Sequence, residues 1–196
     1  MITGAERIAL AALLALVCGA AAAAEAQWGV DDLMRSLREV KTAKARFVER
    51  KDLAALTAPL RSSGTLIYVA PAHLEKHTLK PSLESLVLEG DRLTIAKIEG
   101  GPGRVLNLPD YPVLWAFVES IRSTLAGDLG TLSRFYRVEL SGKESQWRLA
   151  LRPIEAKMRD VVSEIRIEGR GNWVGSVSVL EAGGDRSTMT ITRDLS

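Results

Sequence analysis

One cysteine, two histidines and an aromatic content of 5% leave this 196-residue chain short of the residue types on which most catalytic chemistry depends. The lone cysteine, Cys18, falls in the first two dozen residues, so the rest of the chain has no disulfide and must fold by packing alone. An excess of one charge is missing too. With 26 basic against 24 acidic residues the net charge is +2, which gives no concentrated positive field of the kind that nucleic-acid binding needs. The nucleophile-elbow pattern G-x-S-x-G, the phosphate loop G-x-x-x-x-G-K-[ST] and the dinucleotide glycine pattern are all missing from the sequence. No apolar run reaches the roughly 20 residues of a comfortable membrane-spanning helix. The length suits one ordinary globular domain with an ample core.

What is present begins with an export signal. Arg7, offset by Glu6, precedes the apolar run from Ile8 to Val17, and Cys18, Gly19 and a stretch of alanines come next. This pattern predicts a secretory signal peptide over residues 1–24, with small residues placed for cleavage after Ala24 or Ala26. Residues 25–196 are then a single exported domain. A lipid anchor on Cys18 would want a small residue before it and a Leu three before it; Val17 and Ala15 stand there instead.

The mature chain opens on Val30, Leu33, Met34, Leu37 and Val40 at helical spacing, with Asp31 and Asp32 at the favourable end of the dipole, and predicts a helix over 30–41. From Ala43 the period changes to two. Tyr136, Val138 and Leu140 alternate with polar residues, as do Trp147, Leu149 and Leu151, Ile165 and Ile167, and Met189 and Ile191. Turn signals at Glu89–Arg92, Ser141–Glu144 and Ala182–Asp185 separate such strands, the first of them joining Leu83–Leu88 to Leu93–Ile98. The count is about eleven strands in one antiparallel meander, a sheet that must curl or close.

Two segments interrupt the strands. Over Pro112–Leu125 a second amphipathic helix carries Val113, Leu114, Phe117, Val118, Ile121 and Leu125 on one face, with Gly127 as its stop. A weaker helical signal lies at Ala156–Val162. Leu53–Leu60 and Gly100–Pro109 read as apolar loops flanking the sheet.

Titratable clusters are few. His73 and His77 have the spacing of a zinc-binding helix, but the segment reads as a strand, on which residues four apart stand roughly 13 Å from each other and do not share a metal. Asp91 and Asp185 sit in turns, where Asp is favoured for backbone reasons. No catalytic residue, metal site or cofactor is expected. Pattern alone does not separate an enclosed apolar cavity from a filled core, since both need the same residue types.

The order of these elements resembles the LolA family of periplasmic lipoprotein carriers over nearly the whole mature chain. Leu33 to Phe47 looks like that family's opening helix and first strand. Ser62-Ser-Gly64-Thr-Leu66-Ile-Tyr68-Val-Ala-Pro71 is similar to its glycine-led strand ending in Pro, and Glu84 to Leu93 to its hairpin with a central Gly. The second helix stands where the family has its lid, and Glu181 to Ser187 resembles the turn before its late strand. Two departures mark a divergent member. Ala70 stands before Pro71 where the family typically has Arg, and the chain ends at Ser196 without the longer C-terminal segment.

The resemblance implies an α+β, mainly β fold: an open antiparallel half-barrel covered by amphipathic helices, with a hydrophobic cavity that shields acyl chains between membranes. In that fold Leu66, Tyr68, Leu86, Leu88, Trp147 and Leu149 are expected to line the sheet side, and Met34, Leu37, Trp115, Phe117, Val118 and Ile121 to face them from the helices. Ile67 and Val69 are also apolar, so the face of the Leu66–Tyr68 strand is left open. The expected protein is a monomer whose partners are an acylated lipoprotein or other lipidic cargo, an inner-membrane exporter and an outer-membrane receptor. The alternative is a non-catalytic accessory or docking subunit of a lipid or polyene exporter.

Overall fold

The computed structural model describes residues 28–97 and 103–194. The expected export segment, with Cys18 and both cleavage sites, lies outside them, as do Ile98 and Gly100–Pro102. The described chain forms α1 (Val30–Arg38), then β1 (Thr42–Asp52), β2 (Leu60–Val69), β3 (His73–Lys80), β4 (Glu84–Glu89), β5 (Arg92–Lys97) and β6 (Arg104–Asn107). After a single 3-10 turn come α2 (Pro112–Ala126), α3 (Leu129–Phe135), β7 (Tyr136–Lys143), β8 (Gln146–Pro153), α4 (Ala156–Arg159), β9 (Val162–Arg170), β10 (Trp173–Glu181) and β11 (Arg186–Arg193).

All eleven strands join one antiparallel sheet in the order β6-β5-β4-β3-β2-β1-β11-β10-β9-β8-β7. The expected single meander is therefore two. β1 to β6 run consecutively, β7 to β11 run consecutively, and β1 pairs with β11 through Ala45↔Arg193 to Asp52↔Arg186. β6 and β7 are the unpaired edges of the described sheet, which gives the open half-barrel that the resemblance implied.

Several boundaries move from the sequence expectation. α1 ends at Arg38 rather than residue 41, because Val40 and Lys41 must already turn into β1. The hairpin expected at Ser141–Glu144 slips two residues: β7 runs through Lys143, with Gly142 at φ +93°, and the turn falls on Glu144 and Ser145. The helix expected over Ala156–Val162 is one turn, and Val162 opens β9. In the Gly100–Pro109 segment, Arg104–Asn107 forms the edge strand β6, and Leu60 begins β2. Helix α3 has no counterpart in the sequence reading; Asp128 caps it by accepting the Thr131 N–H at 3.0 Å.

The packed core sits under one half of the sheet. Trp147, Leu149 and Leu151 of β8 and Ile165 and Ile167 of β9 meet Leu33, Met34 and Leu37 of α1, Ala116 of α2 and Leu132 of α3, all buried. Gly169 lies flush beneath the Trp147 ring: a Cβ there would stand 2.4 Å from its Cζ2 atom. α2 presents small residues, Ala116, Ser120, Ser123 and Thr124, to the interior. Two of their hydroxyls bond within the helix backbone, Ser120 to the Phe117 carbonyl and Thr124 to that of Ser120, both at 2.6 Å, so neither buried donor is lost. Tyr136 ties α2 to the sheet by donating its hydroxyl to the Ala116 carbonyl at 2.9 Å. The opposite face of this half carries a ladder of exposed ion pairs, among them Arg148–Glu168 and Arg152–Glu139, which keep it solvated.

Candidate functional site: an apolar cavity beneath a helix

The other half of the sheet is not filled. α2 spans a cavity of about 980 Å³, floored by β1, β2, β3, β4, β9, β10 and β11 and closed at one end by Leu37 and Val40. Its size is at the upper end of the roughly 300–1,000 Å³ of ordinary ligand pockets. Register explains why the floor is apolar. Ala45 pairs with Leu66, Leu66 with Lys76 and Lys76 with Leu86, so one side-chain row crosses four strands on the same face. One step along, Ala43, Tyr68, Leu74 and Leu88 make the next row. The face left open by the sequence is thus the one bearing Leu66 and Tyr68. From α2, Val113, Leu114, Phe117, Ile121 and Leu125 point down, and Val177, Met189 and Ile191 complete the floor.

Of the twelve expected lining residues, Leu37, Leu66, Tyr68, Leu86, Phe117 and Ile121 border this cavity. The other six lie elsewhere. Trp147, Leu149 and Met34 are in the packed core, because α1 and α3 press directly on β8. Leu88 is buried between Leu74 and Leu93 at the β4–β5 end of the same face. Val118 is half-buried outside the lining. Trp115 is on the far side of α2, stacked edge-on against Phe135 with centroids 5.6 Å apart. Its indole N–H donates to Glu119 at 3.1 Å. The spacing Trp115, Glu119, Arg122 is i, i+4, i+7, and it marks that polar face in the sequence.

The polar side of α2 forms a latch. Glu119, 3% exposed, also accepts from the Arg122 guanidinium and from Ser123 Oγ. Arg122 in turn donates to the Gly90 carbonyl at 2.8 Å and lies 3.5 Å from Asp91 Oδ1. One buried carboxylate therefore aims an arginine at the tip of the β4–β5 hairpin and holds the helix across the cavity.

Sequence reasoning missed the polar members of the floor. Glu49, 7% exposed, sits on the inward face of β1 and accepts from Lys76 at 2.7 Å, Ser187 at 2.9 Å and Ser62 at 3.1 Å. Burial pushes its carboxyl pKa up, but the Lys76 hydrogen bond and charge, with Lys51 and Ser187, outweigh burial and hold it below the usual range. The alternation Ala43, Ala45, Phe47, Glu49 was the available signal. The Tyr68 hydroxyl is buried with no hydrogen-bond partner among the described residues, and burial raises its pKa.

The two histidines lie on the opposite face, on β3 as expected. They converge on the residue between them: His73 Nε2 is 2.7 Å and His77 Nε2 2.5 Å from separate oxygens of Glu75. These contacts hold the Glu75 carboxyl below its ordinary range. Among the described residues, no group of three His, Cys, Asp or Glu is placed to hold a metal ion. Nor is any helix there long and apolar enough to cross a membrane.

A half-barrel of antiparallel strands with a helix laid over an apolar cavity defines the class of fold. Residues 19–192 match the family described as outer membrane lipoprotein carrier protein LolA-like, and the chain belongs to that family. No curated protein matches it. Similar solved structures share little sequence with it. A LolA superfamily protein of Nitrosomonas europaea is 10% identical over 85% of this chain and 93% of its own, with a TM-score of 0.43. The lipoprotein LppX of Mycobacterium tuberculosis is 9% identical over 83% and 93%, with a TM-score of 0.42. A chain of the MucA/MucB complex of Pseudomonas aeruginosa is 12% identical over 84% of this chain but only 56% of its own, with a TM-score of 0.45.

Proposed function

We propose that this protein is a periplasmic carrier that takes up the acyl chains of a lipoprotein or another lipidic cargo and moves it between the inner and outer membranes, without catalysis. The observation that carries the reading is the 980 Å³ cavity, apolar on both the sheet and the α2 sides, in a domain whose other half is packed solid. Each buried methylene is worth about 0.8 kcal/mol, so an acyl chain leaves a membrane only for a comparably apolar site. In this reading residues 1–24 direct export and are removed, and the mature domain acts as a monomer. Leu37, Leu66, Tyr68, Leu86, Phe117 and Ile121 hold the chain, and the Arg122 latch sets how readily α2 lifts to admit it.

Native mass spectrometry of protein purified from its own periplasm tests this. Co-purifying lipid, lost from folded Leu66→Glu and Phe117→Glu variants, is the expected result. An empty protein in stable complex with an exporter subunit overturns the carrier reading in favour of a docking role. Lipid retained by both variants removes the cavity as its site.

A further inference from the structure

The cavity floor changes character along its length. Down β1 the inward residues are Ala43, Ala45, Phe47, Glu49 and Lys51; down β2 they are Tyr68, Leu66, Gly64 and Ser62, with Leu60 at the rim; down β11 they are Ile191, Met189 and Ser187, after an exposed Arg193 that stacks on the Trp173 ring. Three adjacent strands thus turn polar at the same end, and Glu49 stands about 20 Å from Ala43 by strand rise. Lys76 enters this patch from between Leu66 and Leu86, its ammonium 2.7 Å from Glu49 Oε2 and 4.9 Å from the centroid of the Phe47 ring.

Both carboxylate oxygens of Glu49 are engaged from within the patch. Oε1 takes Ser187 and lies 3.6 Å from Lys51 Nζ, while Oε2 takes Ser62 and Lys76. What the patch still offers is donor protons, since each ammonium carries three and Lys76 gives one to Glu49. Two ammoniums face one carboxylate. The other acids of the lining do not offset them: Asp110 and Glu181 are exposed to water, and the Glu75 carboxylate is engaged by His73 and His77. Glu84 belongs to the same face of β4 but not to the lining. A buried ion pair contributes little net stability compared with well-packed apolar residues, so stability does not account for one on the floor of an apolar cavity.

We propose that Lys76 and Lys51, oriented by Glu49, form a headgroup subsite for the anionic head, a carboxylate or a phosphate, of an amphiphile whose chain lies along Leu66, Tyr68 and Phe117. The proposal rests on the carrier reading of the same cavity and adds a polarity to it: tail toward α1, head toward Ser187.

Isothermal titration calorimetry of the mature protein with laurate, dodecyl phosphate and dodecanol, each below its aggregation threshold, separates headgroup recognition from chain binding. An anionic head should bind about tenfold tighter than the alcohol, the return from one charge-assisted hydrogen bond. A preference for laurate alone assigns the head to a fatty-acid carboxylate, and one for dodecyl phosphate alone to a lipid phosphate; either supports the subsite. Lys76→Met should collapse the preference, and Glu49→Gln should widen it by freeing both ammoniums. Should Lys76→Met fail to fold with Glu49 left uncompensated, the Lys51→Met/Lys76→Met/Glu49→Gln triple variant removes all three charges and should show the same collapse. Dodecanol binding as tightly as both anions, or a preference that survives the loss of Lys76, overturns the subsite and leaves the carrier standing. Failure of all three amphiphiles to bind overturns both.

Discussion

Leu66 and Leu149 are both inward leucines on strands of one sheet, yet their truncation should have very different consequences. Leu149 is fully buried among α1, β7 and β9. Leu149→Ala removes three carbons and leaves a hole that its neighbours cannot close, so its cost falls in the usual 2–5 kcal/mol range for such sites, about 3 kcal/mol. Leu66 is half-buried and borders a space that is already empty. Leu66→Ala adds no new void and loses only part of a transfer term of about 0.8 kcal/mol per methylene, about 1 kcal/mol in all. For a domain of this size the first loss lowers Tm by about 6–12 °C and the second by about 2–4 °C. Urea unfolding of the lipid-free protein, followed by circular dichroism and Trp fluorescence, measures both, with an unchanged slope showing that only stability moved. Equal losses at the two positions would refute the reasoning, because Leu66 would then be packed against a neighbour and the cavity would be closed in solution.

Other consequences arise from the same contacts. The lowered pKa of Glu49 gives stability that is complete above its unfolded value of about 4.3 and is lost as pH falls through the lower folded value; Glu49→Gln should therefore narrow the difference in urea midpoint between pH 6 and pH 3. Arg122→Met strips a buried carboxylate of its charged partner and frees α2 from the hairpin. It should destabilise by about 3 kcal/mol or more and speed amide hydrogen exchange in α2 ahead of β8 and β9. Gly169→Ala would place a Cβ 2.1 Å from the Trp173 carbonyl oxygen as well as against the Trp147 indole. It should cost roughly 1–3 kcal/mol by overpacking, visible as a lower Tm and a shifted Trp emission.

The strands were legible in the sequence because period-two alternation is a local property: Trp147, Leu149 and Leu151 announce β8 as plainly as Leu86 and Leu88 announce β4. Which of these strands would be covered by packed helix and which by open space was not legible. That depends on where α1 and α3 come to rest, and Trp147 and Leu66 carry the same local pattern. α3 escaped notice because it is seven residues long and buries only Leu132; Asp128 as its cap was the one sign. Trp115 was assigned to the cavity on hydrophobicity, whereas its spacing to Glu119 and Arg122 puts it on the latch face. The Glu49–Lys76 pair went unread because the partners are 27 residues apart and meet only through the β1–β2–β3 register.

The seam between β1 and β11 joins the first strand of the sheet to the last. Half of the cavity floor comes from one end of the chain and half from the other: Ala45 and Glu49 are made early, and Ser187, Met189 and Ile191 among the last residues of the domain. A chain made N-terminus first can build β1 to β6 and then β7 to β10, but it has no complete floor until β11 arrives and pairs across both. Contacts this distant in sequence form slowly. The floor of the cavity is therefore the last part of the sheet to close, since without β11 the described strands form two separate antiparallel stacks with no continuous apolar chamber between them.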